Sequence, residues 1–153
     1  MSVLELKIPP VLLTTLCAGL MAGAAATTPE MNLAPAIRMT VVLACLLVSA
    51  LVGLAAVRAF RRASTTVNPM QPDRSGALVD SGIFRYSRNP MYLALLIVLI
   101  GWGFYLDSLA ALAVTVVYLA YLNRFQIAPE ERALRERFGD PFTAYCKRVR
   151  RWI

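Results

Sequence analysis

Apolar residues in this chain run in four long stretches, roughly Pro9–Ala26, Met39–Val57, Met91–Leu106 and Leu109–Ile127. A helix that crosses a bilayer needs about 20 largely apolar residues, with about 17 as the lower limit. The second stretch meets this requirement and the first meets it with its flanks. The third is short, and the fourth reaches the length if Asn123 and Arg124 sit near an interface. The pattern predicts an all-α, polytopic membrane protein with four transmembrane helices and short amphipathic helices at its C-terminal end. Helices are expected over about 9–27, 37–60, 90–106 and 109–127, with a cytoplasmic loop 61–89 and a cytoplasmic tail 128–153, all within one domain spanning 1–153.

The first stretch has a competing reading as a cleavable signal peptide. Its leading segment carries both Glu5 and Lys7, and Pro9-Pro10 precedes the apolar run, which favours a retained helix. The polar segments orient the bundle. Arg58, Arg61, Arg62, Arg74, Arg85 and Arg88 lie between the second and third stretches. Arg124 closes the fourth, and Arg132, Arg135, Arg137, Lys147, Arg148, Arg150 and Arg151 follow it. The opposite side holds only Glu30, Arg38 and Asp107. Basic loops stay inside, so both termini and the long loop are expected in the cytoplasm, at the plasma (inner) membrane in a bacterium.

Composition agrees with that picture. The chain has 153 residues, 58% of them hydrophobic, and a mean hydropathy of +0.59, above the roughly 45–50% apolar share of soluble domains. A net charge of +7 raises nucleic acid as a partner, but the basic residues flank the apolar stretches as membrane flanks do, so no nucleic acid is expected. Cys17, Cys45 and Cys146 have no metal-like spacing, and the chain has no histidine. Serine–histidine hydrolases and histidine-ligated zinc enzymes are thereby excluded, and no metal is expected.

A tight turn at Asp107-Ser108 should fold the third and fourth stretches into an antiparallel hairpin, packed closely through Gly101, Gly103, Ala110, Ala111 and Ala113. Trp102, between the two glycines, is expected at the interface. In the tail, Pro129, the Glu130–Glu131 pair and Gly139 mark one helix. A second begins near Asp140-Pro141, where Phe142, Tyr145, Val149 and Trp152 form an apolar stripe that should lie on the inner leaflet or against the hairpin.

No charge occurs in the middle of an apolar stretch, which disfavours a proton-coupled transporter. Polar groups collect instead in the Val67–Tyr92 segment and around Asn123–Glu131, and the hairpin should bring these together. Taken singly, each group has a plain structural explanation: inside-positive flanks for Arg85 and Arg88, interfacial aromatics for Tyr86 and Tyr92, helix-end charge for Glu130 and Glu131, snorkelling for Arg124.

Taken in order, they are more specific. Ser81-Gly-Ile-Phe-Arg-Tyr-Ser-Arg-Asn-Pro-Met-Tyr-Leu93, then Pro129-Glu-Glu-Arg-Ala-Leu134, Phe138-Gly139, Tyr145 and Arg148-Val-Arg-Arg-Trp152 resemble the isoprenylcysteine carboxyl methyltransferase and phospholipid methyltransferase superfamily. The resemblance covers the C-terminal half densely; the N-terminal helices match in character only. It implies a membrane-embedded enzyme that uses S-adenosyl-L-methionine without a Rossmann domain. Ala77, Leu78, Val79, Phe84 and the turn Asn89, Pro90, Met91, Tyr92 would line the cofactor, with Glu131. Glu130 matches the family's first functional glutamate, and Arg124 at the bilayer edge would orient an acidic or phosphate head group, so these two are the catalytic candidates. Asn89 stands where the carboxyl methyltransferases usually carry His and the phospholipid enzymes often carry Asn. Ala94 replaces a usual glycine, which should tighten the pocket. The implied function is methyl transfer to a small lipophilic or lipid-like acceptor at the cytoplasmic face, reached from the bilayer, with no obligate protein partner. Carboxylate, amine and thiol remain open as acceptor atoms. The alternatives are an NADPH-dependent membrane reductase of the sterol-reductase type and a non-catalytic membrane subunit.

Overall fold

The computed structural model describes residues 5–63 and 78–153. Six helices follow in order: α1 Pro10–Ala26, α2 Pro35–Arg62, α3 Pro90–Tyr105, α4 Leu109–Tyr121, α5 Ala128–Phe138 and α6 Asp140–Arg148. A 3₁₀ turn, Gly82–Arg85, precedes α3, and a π-helical segment, Leu122–Ile127, joins α4 to α5 without a break. No strand occurs among the described residues. Proline stands at the first or second position of every helix except α4; at α1, α2, α3 and α6 a first-turn N–H has no partner to lose and the ring pre-sets φ, while α5 continues from the π segment. At α4 the Ser108 hydroxyl does the capping, accepting the Ala111 N–H at 3.2 Å.

Two rods are long and apolar enough to cross a membrane: α2, and the continuous Leu109–Phe138 helix. The shorter apolar helices α1 and α3, 17 and 16 residues long, pack with them. Leu12, Leu16 and Leu20 of α1, Leu43, Leu47, Leu51 and Leu54 of α2, and Val116 and Val117 of α4 all face outward. An outer surface this apolar is one that lipid solvates and water does not.

One cluster sits between α1, α3 and α4, around Met21, Leu99, Tyr118 and Leu122. The second joins the end of α2 to the 3₁₀ turn and α6, through Ala56, Ala59, Phe84, Phe142 and Tyr145. The hairpin turn is knotted to the α1–α2 connection. Asp107, in the left-handed region at φ 53, accepts the Met31 N–H on its carbonyl at 2.8 Å, and its carboxylate meets Arg38 at 3.5 Å.

Three local expectations need correction. Gly103 does serve the hairpin, since an added Cβ would fall 2.5 Å from Leu112 of α4; at Gly101 the Cβ would fall 2.9 Å from that of Cys45, so this glycine admits α2 instead. Ala94 also faces α2: Gly53 lies opposite and the Ala94 carbonyl accepts from Ser49 at 2.9 Å. Alanine there tightens a helix contact, not a pocket. Finally, α6 ends at Arg148 and the chain continues extended through Val149. Phe142, Tyr145 and Val149 turn inward to the second cluster at the end of α2, while Trp152 alone packs on the cluster of the hairpin and donates to Asn123 at 3.1 Å. Helical periodicity identified the stripe, but the burial available beside the α2 end decided which way it faces. Trp102, expected at an interface, is anchored by donation to the Ala18 carbonyl of α1 at 3.1 Å.

Candidate active site

Two short segments meet at the end of the bundle that carries the tail. The Ser87 hydroxyl accepts the Asn89 N–H at 3.1 Å, shaping the turn before α3. Pro90 then starts the helix, which places Tyr92 in its first turn. Pro129 is the second residue of α5, which continues from the π segment, and Glu130 and Glu131 follow in that turn. The Tyr92 hydroxyl donates to Glu130 Oε2 at 3.1 Å. Arg88 and Arg151 both grip Glu131, at 2.6 Å each, with a further bond from Arg151 Nε at 3.1 Å.

The two neighbouring glutamates therefore differ. Burial alone would raise the Glu131 carboxyl, but the bonds from Arg151 and Arg88 outweigh it and hold the group below the usual carboxylate range. Glu130 lies beyond the apolar part of its rod. Its residue surface stays partly accessible, yet protein atoms surround the carboxyl closely. Burial pushes it up to about 7, against the lowering effect of the Tyr92 bond and with the Glu131 charge adding to the rise. Glu131 is a clamp; Glu130 is a carboxyl poised to change its charge near neutrality.

The clamp ties the tail across the turn. Arg88 also donates to the carbonyls of Cys146 and Val149, at 3.1 and 2.7 Å, and Asn89 Nδ2 donates to the Arg151 carbonyl at 2.9 Å. Arg88 Nε is buried with no acceptor among the described residues. A buried donor without an acceptor costs about 1–3 kcal/mol, and an anionic group brought to it would remove that cost.

The residues expected to line a cofactor are spread more widely. Asn89, Pro90 and Tyr92 are buried at the turn, and Met91 is partly buried against the second cluster. Val79 and Phe84 are core residues of that cluster, with Phe84 edge-on to Phe60 and Leu78 beside them; Ala77 lies outside the described residues. The positions after Val79 border open space: Asp80, Ser81, Gly82, Arg85, Tyr145, Arg148 and Val149 line a cavity of about 390 Å³, within the roughly 300–1,000 Å³ of small-molecule sites. The Tyr145 hydroxyl is committed to the Phe84 carbonyl at 2.7 Å. Arg124 is engaged apart from the glutamate–tyrosine pair, meeting Glu5 at 3.4 Å and lying over the Phe125 ring.

Sequence reasoning treated Arg88 and Arg151 as flanking charges and gave no role to Gln126. Gln126 is fully buried in the π segment and donates to the Ile8 carbonyl. For Arg88 and Arg151 the one signal available was their place inside the ordered motifs; Gln126 lies outside them.

Residues 37–141, which hold the Ser81–Leu93 and Pro129–Gly139 motifs but not the Tyr145–Trp152 tail, match the phospholipid methyltransferase family. The chain belongs to that family. Among curated proteins, one from Haemophilus influenzae, described as uncharacterized, is 40% identical over 63 residues, which are 41% of this chain and the whole of that protein. No solved structure matches. Membership in a methyltransferase family gives the Tyr92–Glu130 pair a chemical context that its geometry alone lacks.

Proposed function

We propose that this phospholipid methyltransferase family member is an S-adenosyl-L-methionine-dependent methyltransferase acting on a small lipid-like acceptor at the cytoplasmic face of a membrane. In this reading all four apolar helices span, with both termini inside, and the chain works as one domain without an obligate protein partner. The observation that carries the proposal is the enclosed Glu130 carboxyl, which accepts from the Tyr92 hydroxyl and meets no cation among the described residues, together with an Arg88 Nε that has no acceptor among them.

These groups suit the cofactor's two charged ends: a carboxylate for a sulfonium or ammonium cation, and a buried guanidinium N–H for a carboxylate. When bound, S-adenosyl-L-methionine supplies a methyl already activated on a positive sulfur. The protein's task is then alignment. Arg88, Asn89 and the tail they hold would form one wall, with the 390 Å³ cavity beside Val79 available to the nucleoside. Glu130, held in orientation by Tyr92, would steady an acceptor nitrogen. It would take the proton that nitrogen sheds as the nitrogen–carbon bond forms and the sulfur–carbon bond breaks, which favours an amine over a carboxylate or thiol. Arg124, at the rim, would meet an acidic head group.

Calorimetry with S-adenosylhomocysteine on the purified full chain tests the cofactor. Saturable binding that weakens in Glu130→Ala and Tyr92→Ala is expected. Binding of NADPH alone, or of neither ligand, would overturn the reading. Incubating membranes with methyl-labelled cofactor and identifying the labelled product tests the acceptor, for which a labelled amine-bearing lipid is expected.

A further inference from the structure

The residues before α1 form a strap over the π segment. The Leu6 N–H donates to the Phe125 carbonyl at 3.0 Å, and the Ile8 carbonyl accepts from Gln126 at 2.5 Å. Glu5 meets Arg124 at 3.4 Å and Arg132 at 2.7 Å. The exposures are lopsided: the Glu5 side chain is 4% exposed, those of Arg124 and Arg132 60% and 50%. A buried carboxylate thus sits under two guanidinium groups whose outer sides are open.

We propose that Arg124 and Arg132 form a binding site for a phosphate-type anion at the rim of the bundle, and that Glu5 keeps this site closed as an internal competitor. The inference deepens the functional reading, on which it rests for the placement of this rim beside a lipid-like acceptor. A guanidinium carries five N–H donors in a planar fork that matches phosphate oxygens in pairs. The bonds to Glu5 use one nitrogen of each arginine, so further donors are left for an incoming group with more charge than a carboxylate. The strap is also built to let go. Leu6 holds a left-handed φ of 56, a backbone conformation that side-chain-bearing residues seldom adopt. Beneath it, Gln126 Oε1 is buried without a partner among the described residues, in a helix type found frequently at functional sites.

The phosphate can belong to a lipid head group or be free in solution. The test uses the full chain in maltoside micelles, titrated with short-chain phosphatidic acid in one arm and inorganic phosphate in the other. It reads ligand binding and the hydrogen-exchange rate of the Leu6 amide, and neither readout needs methyl transfer or cofactor. Saturable binding that speeds Leu6 exchange is expected, and the tighter arm names the source. Glu5→Gln should bind roughly two- to fivefold more tightly, the span that a half-exposed ion-pair competitor is worth. Arg124→Gln with Arg132→Gln should lose about tenfold or more. Unchanged or weaker binding by a folded Glu5→Gln, or wild-type binding that leaves Leu6 exchange unaltered, would overturn the strap. Loss of methyl transfer alone would bear on the functional reading and not on this one.

Discussion

The hydroxyl of Tyr92 and the carboxyl of Glu130 are 3.1 Å apart although 38 residues separate them in the chain. The contact joins the first turn of α3 to the first turn of α5 at the end of the bundle where the tail folds back. It supplies orientation to a carboxyl that would otherwise rotate freely, and leaves the second oxygen for another partner.

Removing that carboxyl should therefore affect chemistry more than folding. Glu130→Gln keeps size and a hydrogen-bonding oxygen but gives up the charge. Methyl transfer is expected to fall by about 10²–10⁴-fold, the span of a positioned proton acceptor, while thermal stability stays unchanged or rises, since an uncompensated buried charge is lost. Labelled-methyl incorporation and a thermal melt on the same preparation check both halves. A loss of less than about tenfold would remove Glu130 from the reaction.

The pH profile follows from the same group. Glu130 is pushed up to about 7, so the fraction present as carboxylate shrinks as pH falls through that value, and the methyl-transfer rate should fall with it. The Tyr92 bond favours the charged form. Tyr92→Phe should accordingly move the acidic limb to higher pH. Glu131→Gln removes a neighbouring negative charge and leaves Arg88 and Arg151 uncompensated, so its limb should move to lower pH. A rate that is level from pH 5 to 8 contradicts the assignment.

Glu131 makes a separate prediction about stability. Its side chain is 17% exposed and Arg88's is 13% exposed, enclosed enough that losing one partner leaves a poorly solvated charge. Glu131→Gln should cost roughly 2–4 kcal/mol, somewhat less than the 3–5 of fully buried pairs because Arg151 retains some exposure. The folded pKa is depressed. The stabilisation is therefore fully present above the unfolded value, about 4.3, and is lost as pH falls through the folded one. Unfolding of the wild type should become easier below about pH 4, and Glu131→Gln should lack that dependence.

Much of this arrangement was readable in the chain. Four apolar runs gave the helices, and the proline before each of α3 and α5 fixed where Tyr92 and Glu130 stand. What was not readable depends on partners distant in sequence. Nothing local says that Glu131 will be taken by Arg88 and Arg151 while Glu130 is not, because adjacent helical residues point about 100° apart and only the tertiary neighbours differ. Glu5 gave no sign that it would reach Arg132, 127 residues away. The π segment was equally hidden: the chain reads as one helix ending near 127 and a second starting at Pro129, whereas the structure runs them together through Leu122–Ile127.

Gly101 offers a test of the packing that positions the site. Its Cα lies so close to α2 that an added methyl would come 2.9 Å from the Cys45 Cβ and 3.9 Å from the Val42 carbonyl oxygen. The near atom is fixed to the α2 backbone, so a rotamer change cannot relieve the clash and the helices must separate. Two opposing effects act on Gly101→Ala: alanine gains up to about 1 kcal/mol of helix propensity, and overpacking costs about 1–3 kcal/mol. The clash should win, giving a net loss of about 1–2 kcal/mol. Gly103 makes the comparison informative, because its closest contact is the Leu112 Cδ2 methyl at 2.5 Å, the far end of a side chain that can turn away. Gly103→Ala should thus be milder than Gly101→Ala in a denaturation series run in the same detergent. The reverse order would mean that α3 is seated by the α4 hairpin more firmly than by α2.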